Sequence, residues 1–121
     1  MLKALVIDDN RNTADSLCQM LSLLDVQTTA AYSPRGAFLL LQEMVPDIVF
    51  VDLNMPGVTG HEVVTFVRRD PKLEHIPVVV VTAKSMPADI KNGMEAGAST
   101  YLTKPVGFRE LKEAVEHALG N

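Results

Sequence analysis

The stretch Pro77-Val78-Val79-Val80-Val81-Thr82 limits the fold more than any other part of the chain. Unbroken valine is expected in a strand only where both faces are covered, as in a parallel sheet held between helices. A sheet with one wet face would alternate apolar with polar residues instead. At 121 residues there is room for one such sandwich and little else.

The rest of the sequence supplies the missing layers. Leu2 to Ile7 is an apolar run ending at Asp8-Asp9-Asn10, and Asn12 to Leu24 carries Ala14, Leu17, Met20, Leu21 and Leu24 at helical spacing. Val26 to Tyr32 is Thr-rich and predicts a second, more exposed strand. Ser33-Pro34 is a helix start, with Ser as N-cap and Pro in the first turn, and Pro46 ends that helix. Asp47 to Leu53 predicts a third strand, followed by a turn forced at Pro56-Gly57. Gly60 to Arg69 predicts a third helix, and Pro77 to Thr82 is the fourth strand. Pro87 to Ala96 predicts a weak helix, since Gly93 lies inside it and costs about 1 kcal/mol relative to Ala. Ala98 to Thr103 predicts a fifth strand, and Phe108 to Leu119 a last amphipathic helix. Strands alternating with helices predict an α/β fold: a doubly wound, five-stranded parallel sheet flanked by five helices.

Composition removes several functions. A net charge of −4 argues against a broad electrostatic footprint for nucleic acid, so no direct nucleic-acid contact is expected. The apolar runs are too short to span a bilayer, and no signal-peptide pattern opens the chain. Cys18 is the single cysteine, which rules out an internal disulfide and fits a small buried hydrophobe. A cytoplasmic protein without a membrane partner is the expectation. His61, His75 and His117 lack metal-ligand spacing and read as surface histidines.

Four strands end on polar groups that their apolar bodies do not explain: Asp8-Asp9, Asp52, Thr82 and Lys104. In a parallel sheet all carboxyl ends lie on one rim, the place where open α/β folds bind ligands. Local roles are available to each. Asp8, Asp9 or Asn10 can cap the first helix, Asp52 can make an Asx-turn, Thr82 can cap the loop after its strand, and Lys104 can be a solvated loop residue. Coincidence at four corresponding positions is the weaker account. Three carboxylates close together require a proton or a cation between them. Oxygen donors without His or Cys favour Mg²⁺ or a similar hard ion. A carboxylate nucleophile beside an ion, an ammonium and a hydroxyl has what is needed to accept and hold a phosphoryl group.

At this point the sequence resembles the receiver domain of two-component response regulators over essentially its whole length. The matching residues are Asp8-Asp9, Asp52 with Met55-Pro56-Gly57-x-x-Gly60, Thr82-Ala83, Ala96-Gly97-Ala98, Tyr101 and Lys104-Pro105. The resemblance implies residues 1–121 as one receiver domain with the flavodoxin-like strand order 2-1-3-4-5. It implies Asp52 as phosphoacceptor from a sensor histidine kinase or phosphotransfer domain, in a Mg²⁺-dependent reaction. Asp9, Asp52 and the Asn54 carbonyl would bind the metal, with Asp8 acting through water. Lys104 would contact the phosphoryl group, its bond to Pro105 being cis. Thr82 and Tyr101 would switch, altering the face of the fourth helix, fifth strand and fifth helix toward a downstream output domain or protein, with a phosphorylation-dependent dimer as one form of that response. Such a protein catalyses its own phosphoryl uptake and hydrolysis and is not a turnover enzyme. Three positions depart or vary: Val106 stands where many members carry Phe, while Lys84 and Asn54 lie where the family varies and hydrolysis of the acyl phosphate is tuned, Lys84 being expected to contact the phosphoryl group or obstruct the attacking water.

Three other readings share features of this chain. A phosphatase of the haloacid dehalogenase type also uses a strand-end Asp, a Thr or Ser, a Lys and an acidic pair around Mg²⁺. It needs an Asp two residues after the nucleophile, where Asn54 stands, and its acidic pair comes late in the chain. A flavodoxin needs a hydroxyl- and Gly-rich phosphate loop after the first strand, where Asp8-Asp9 would repel the ligand. A pseudo-receiver would lack one of the site residues, and none is missing.

Overall fold

A computed structural model describes residues 2–55 and 59–120. The turn expected at Pro56-Gly57 lies outside the described residues. The elements run β1 (Leu2–Ile7), α1 (Arg11–Ser22), β2 (Val26–Ala31), α2 (Pro34–Glu43), β3 (Ile48–Val51), α3 (Gly60–Arg69), β4 (Val78–Thr82), α4 (Pro87–Ala96), β5 (Thr100–Thr103) and α5 (Phe108–Ala118). The strands form one parallel sheet in the order β2-β1-β3-β4-β5.

Period-two alternation sends successive strand residues to two cores. Leu5 and Ile7 of β1, Val49 and Val51 of β3, and Val78 and Val80 of β4 face Ala37 and Leu41 of α2 and Val63, Val64 and Val67 of α3. Ala4 and Val6, Ile48 and Phe50, and Val79 and Val81 face Leu17 and Leu21 of α1 and Leu111 and Val115 of α5. Both faces of the central strands are therefore apolar, and β3 and β4 are buried throughout. The edge strands β2 and β5 are only partly covered. Cys18 is half-buried against the α1/α5 core, as its helical position suggests.

Local signals set the helix starts. The Asn10 side chain accepts from the Thr13 amide at 3.1 Å, and Ser33 Oγ accepts from the Gly36 amide at 3.0 Å with Pro34 in the first turn. Asn10, not an aspartate, caps α1, so both carboxylates before it remain available. The strands are shorter than the apolar runs suggest: Asp47, Pro77 and Ala98-Ser99 precede their ladders, and Asp52 and Leu53 follow β3.

Candidate functional site

Strand register alone gathers the rim. Ile7 pairs with Val51, Val51 with Val80, and Thr82 with Thr103. Asp8, Asp52, Thr82 and Lys104 therefore emerge at the carboxyl ends of adjacent strands. Backbone bonds continue past the ladders and fix them there: the Asp52 amide donates to the Ile7 carbonyl at 3.0 Å, and the Lys104 amide to the Thr82 carbonyl at 2.8 Å.

Gly60 holds α3 against this rim. A β-carbon at Gly60 would run into the Asp52 carbonyl oxygen and come within 2.6 Å of Leu53 Cα. Only glycine permits so close an approach of the helix start to the backbone of Asp52.

The side chains make one charged cluster. Lys104 Nζ donates to Asp8 Oδ2 and to Asp52 Oδ2, each at 2.8 Å. Asp8 is 1% exposed and Asp52 6%. Their second oxygens accept backbone amides, from Asn10 to Asp8 Oδ1 and from Asn54 to Asp52 Oδ1, both at 2.9 Å. Asp9 is exposed and completes a group in which Asp8, Asp9 and Asp52 each offer an oxygen, all within 4.8 Å of one another.

The charges adjust to this crowding. Burial pushes the Asp8 carboxyl above its ordinary value, outweighing the opposing effect of Lys104 and the Asn10 amide. Burial pulls the Lys104 ammonium down, but its bonds to Asp52 and Asp8 outweigh that, and the net movement is upward. One ammonium thus compensates two buried carboxylates and leaves the exposed Asp9 free to contribute. Three carboxylates, with no His or Cys joining them among the described residues, suit a hard divalent ion that keeps several waters.

Thr82 is fully buried, and its Oγ1 accepts from the Lys84 amide at 3.5 Å, a long contact. The Tyr101 hydroxyl donates to the Lys84 carbonyl at 2.8 Å, so both expected switch residues meet the same backbone unit. Burial raises the Tyr101 phenol above its ordinary value, reinforced by the nearby Asp89 and Asp52 charges. Its ring lies against α4, where a β-carbon at Gly93 would come within 2.9 Å of Tyr101 Cε2. Gly93 was legible only as a weakness of the helix. A glycine inside a helical pattern is also the available signal of such a close approach.

Asn54 is exposed, and its amide is engaged by Asp52. The Lys104–Pro105 bond is cis. Val106 packs partly buried on the α1/α5 core. His75 and His117 are exposed, but His61 departs from the surface expectation. It is half-buried at the start of α3, its Nε2 without a hydrogen-bond partner among the described residues. His61 lies about one turn before Val64, at the margin of the face that carries the buried Gly60, Val63, Val64 and Val67. No helix among the described residues is long and apolar enough to cross a membrane.

Known proteins share both sequence and architecture. A family model described as the response regulator receiver domain matches residues 4–116. A Vibrio cholerae protein described as a probable cyclic di-GMP phosphodiesterase is 36% identical over 117 residues, 97% of this chain. The match spans 26% of that relative, about a quarter of its length. The polar-differentiation response regulator DivK of Brucella ovis is 28% identical over 117 residues, covering 97% of this chain and 95% of that protein. Among solved structures, the chemotaxis response regulator CheY4 of Vibrio cholerae superposes with a TM-score of 0.92 at 27% identity, covering 98% of this chain and 99% of that one.

Proposed function

The chain belongs to the response regulator receiver domain family, and on that premise we propose that Asp52 accepts a phosphoryl group from a phosphohistidine on a sensor kinase or phosphotransfer domain. The observation that carries this reading is the position of Lys104 Nζ, 2.8 Å from both Asp8 and Asp52 at the carboxyl rim of the sheet. Residues 1–121 act as a single regulatory receiver unit, and any output lies in a linked domain or a separate protein.

In the transfer, an Asp52 oxygen forms the new O–P bond as the N–P bond to the donor imidazole breaks. The imidazole nitrogen keeps the bonding pair. Lys104, already beside Asp52, is placed to follow the negative charge onto the phosphoryl oxygens. Thr82 supplies a hydroxyl from the neighbouring strand end. Asp8, Asp9, Asp52 and the Asn54 carbonyl are the groups that would hold Mg²⁺. When bound, the ion would neutralise charge on the phosphoryl oxygens and order the approach. Lys84, two residues past Thr82, would slow hydrolysis of the acyl phosphate. Asn54 lies where a haloacid dehalogenase phosphatase needs a general acid, and an amide cannot serve as one.

Both Thr82 and Tyr101 contact the backbone of Lys84, and this supports a switch passed from Asp52 to the face of α4, β5 and α5. New charge at Asp52 would draw the Thr82 hydroxyl away from the Lys84 amide and bias the loop that leads into α4. A partner protein, or a second copy in a phosphorylation-dependent dimer, would read that face.

The test is intact-protein mass spectrometry with Mg²⁺ and acetyl phosphate. The wild-type chain gains one phosphoryl group and Asp52→Asn gains none. Labelling that persists in Asp52→Asn, or its absence from the wild type, overturns the assignment. In Lys84→Ala the phosphorylated form decays faster; an unchanged decay rate removes Lys84 from the account.

A further inference from the structure

Helix α4 is held unlike the other helices. Its only buried residue is Gly93, and Met86, Ile90 and Met94 are exposed. Packing holds this helix chiefly through Ala96 on the α2/α3 core and Gly93 against Tyr101, little for a helix of its length, so a second holder matters.

That holder is Arg68, in the last turn of α3. Its Nε donates to the Gly97 carbonyl at 2.9 Å, at the end of α4. Its Nη1 donates to the carbonyls of Ile76 at 2.6 Å and Glu74 at 3.1 Å, and its Nη2 to Ser99 Oγ at 3.3 Å. Ser99 Oγ in turn accepts from the Val78 amide at 3.2 Å, tying the entry of β5 to that of β4. The side chain lies flat on Gly97, where a β-carbon would meet Arg68 Cγ at 2.7 Å and where φ is +122°.

The guanidinium is half-buried and forms no ion pair with a carboxylate among the described residues. Burial lowers its pKa, yet arginine stays protonated in proteins. Its charge is met by carbonyl oxygens, including one at the negative end of the α4 dipole. All of these contacts precede β4 and β5, on the rim opposite Asp52.

We propose that Arg68 is a positioning residue that pins the carboxyl end of α4 as a fixed pivot, so that a change at the Asp52 rim moves the amino-terminal half of the helix and leaves its last turn in place. The geometry is one-sided in the way a pivot requires. The far end is clamped by a rigid fork whose partners do not touch the site. The near end is led by a loop whose Lys84 backbone contacts Thr82 and Tyr101. The trigger rests on the proposed phosphoacceptor role of Asp52, whereas the pin itself does not.

Amide hydrogen exchange on the full chain tests both parts, using beryllium fluoride with Mg²⁺ as the probe of the loaded state. Without the probe, exchange over residues 93–98 rises about tenfold in Arg68→Gln, as loss of bonds from a charged donor implies, with Arg68→Lys between it and wild type. Phosphoryl uptake from acetyl phosphate is unchanged in both variants. With the probe, wild-type exchange changes over residues 84–92 and not over 93–98; in Arg68→Gln the change spreads to both. Wild-type exchange over 93–98 in Arg68→Gln overturns the pin, and a uniform response along wild-type α4 overturns the pivot. If Arg68→Gln does not fold, Arg68→Lys and Ser99→Ala, which each weaken the clamp by part, carry the same comparison. A wild-type chain that takes up neither phosphoryl group nor probe defeats the Asp52 assignment and with it the pivot, while the unloaded comparison still decides the pin.

Discussion

Asp8 and Asp52 each divide two oxygens between two tasks. One oxygen accepts an amide two residues on, the local turn bond available to any Asp at a strand end. The other meets Lys104. The turn bond and the Lys104 bond are therefore both present on each carboxylate, and the first orients it for the second. The imbalance of charge has a consequence for stability. The ordinary value for Asp8 is 3.8, and its folded-state value is higher. Between those two values the folded state holds a proton that the unfolded chain has lost, so stability falls as pH rises through that window. Asp8→Asn abolishes the fall. In EDTA it melts at a higher temperature than wild type near pH 7, and the gap closes as pH drops to 3.8 and below. A gap that is absent near neutral pH, or that widens in acid, contradicts the assigned direction. Lys104 behaves in the opposite sense: its stabilisation is complete below 10.5 and is lost as pH rises through its elevated folded-state value. Removing its charge by Lys104→Met costs about 3 kcal/mol in EDTA, because two buried carboxylates lose their partner. Chemical denaturation at neutral pH measures this directly.

At the scale of elements, α4 is where local preference and tertiary fit conflict. Gly93 weakens the helix by about 1 kcal/mol relative to Ala. Adding that β-carbon would bring it within 2.9 Å of Tyr101 Cε2 and 3.1 Å of Cδ2. Tyr101 is half-buried at an edge strand and can turn outward, so its displacement costs the bond to the Lys84 carbonyl, on the order of 1 kcal/mol. The two effects nearly cancel. Gly93→Ala is expected to change stability by less than about 1 kcal/mol while exposing Tyr101. Tyrosine absorbance under solvent perturbation, in a Tyr32→Phe background that leaves one tyrosine, reads the exposure. A Tyr101 that stays covered contradicts the account. Most elements were legible because periodicity and caps agree: the valines of β4, Ser33-Pro34 before α2, and Gly97 after α4. The strand-end cluster was legible because a parallel sheet aligns carboxyl ends whatever the loops do. Arg68 was not, since three of its four partners are backbone carbonyls, at residues 74, 76 and 97, and carbonyls leave no mark in a sequence. The partly buried His61 was missed for a related reason, because the width of a helix's covered face depends on what packs beside it.

For the whole molecule, the rim is where the two ends of the chain are tied together. Lys104 reaches across 96 residues to Asp8 and 52 to Asp52, so the cluster assembles only when β1, β3 and β5 are all in place. A ligand that needs this cluster therefore binds the folded chain and not the unfolded one, and it must stabilise the fold as a whole. Mg²⁺ at a hundred times its dissociation constant adds about 2.7 kcal/mol, which is several degrees in Tm for a domain of this size. The shift should grow with the logarithm of Mg²⁺ concentration and be lost or much reduced in Asp9→Asn. Asp9 is the informative position because it is exposed and outside the Lys104 ion pairs, so its replacement leaves the metal-free fold almost untouched. A Tm indifferent to Mg²⁺ in the wild type would remove the metal from the site while leaving the Lys104–carboxylate cluster intact. An equal shift in Asp9→Asn would instead place the ion elsewhere on this acidic chain.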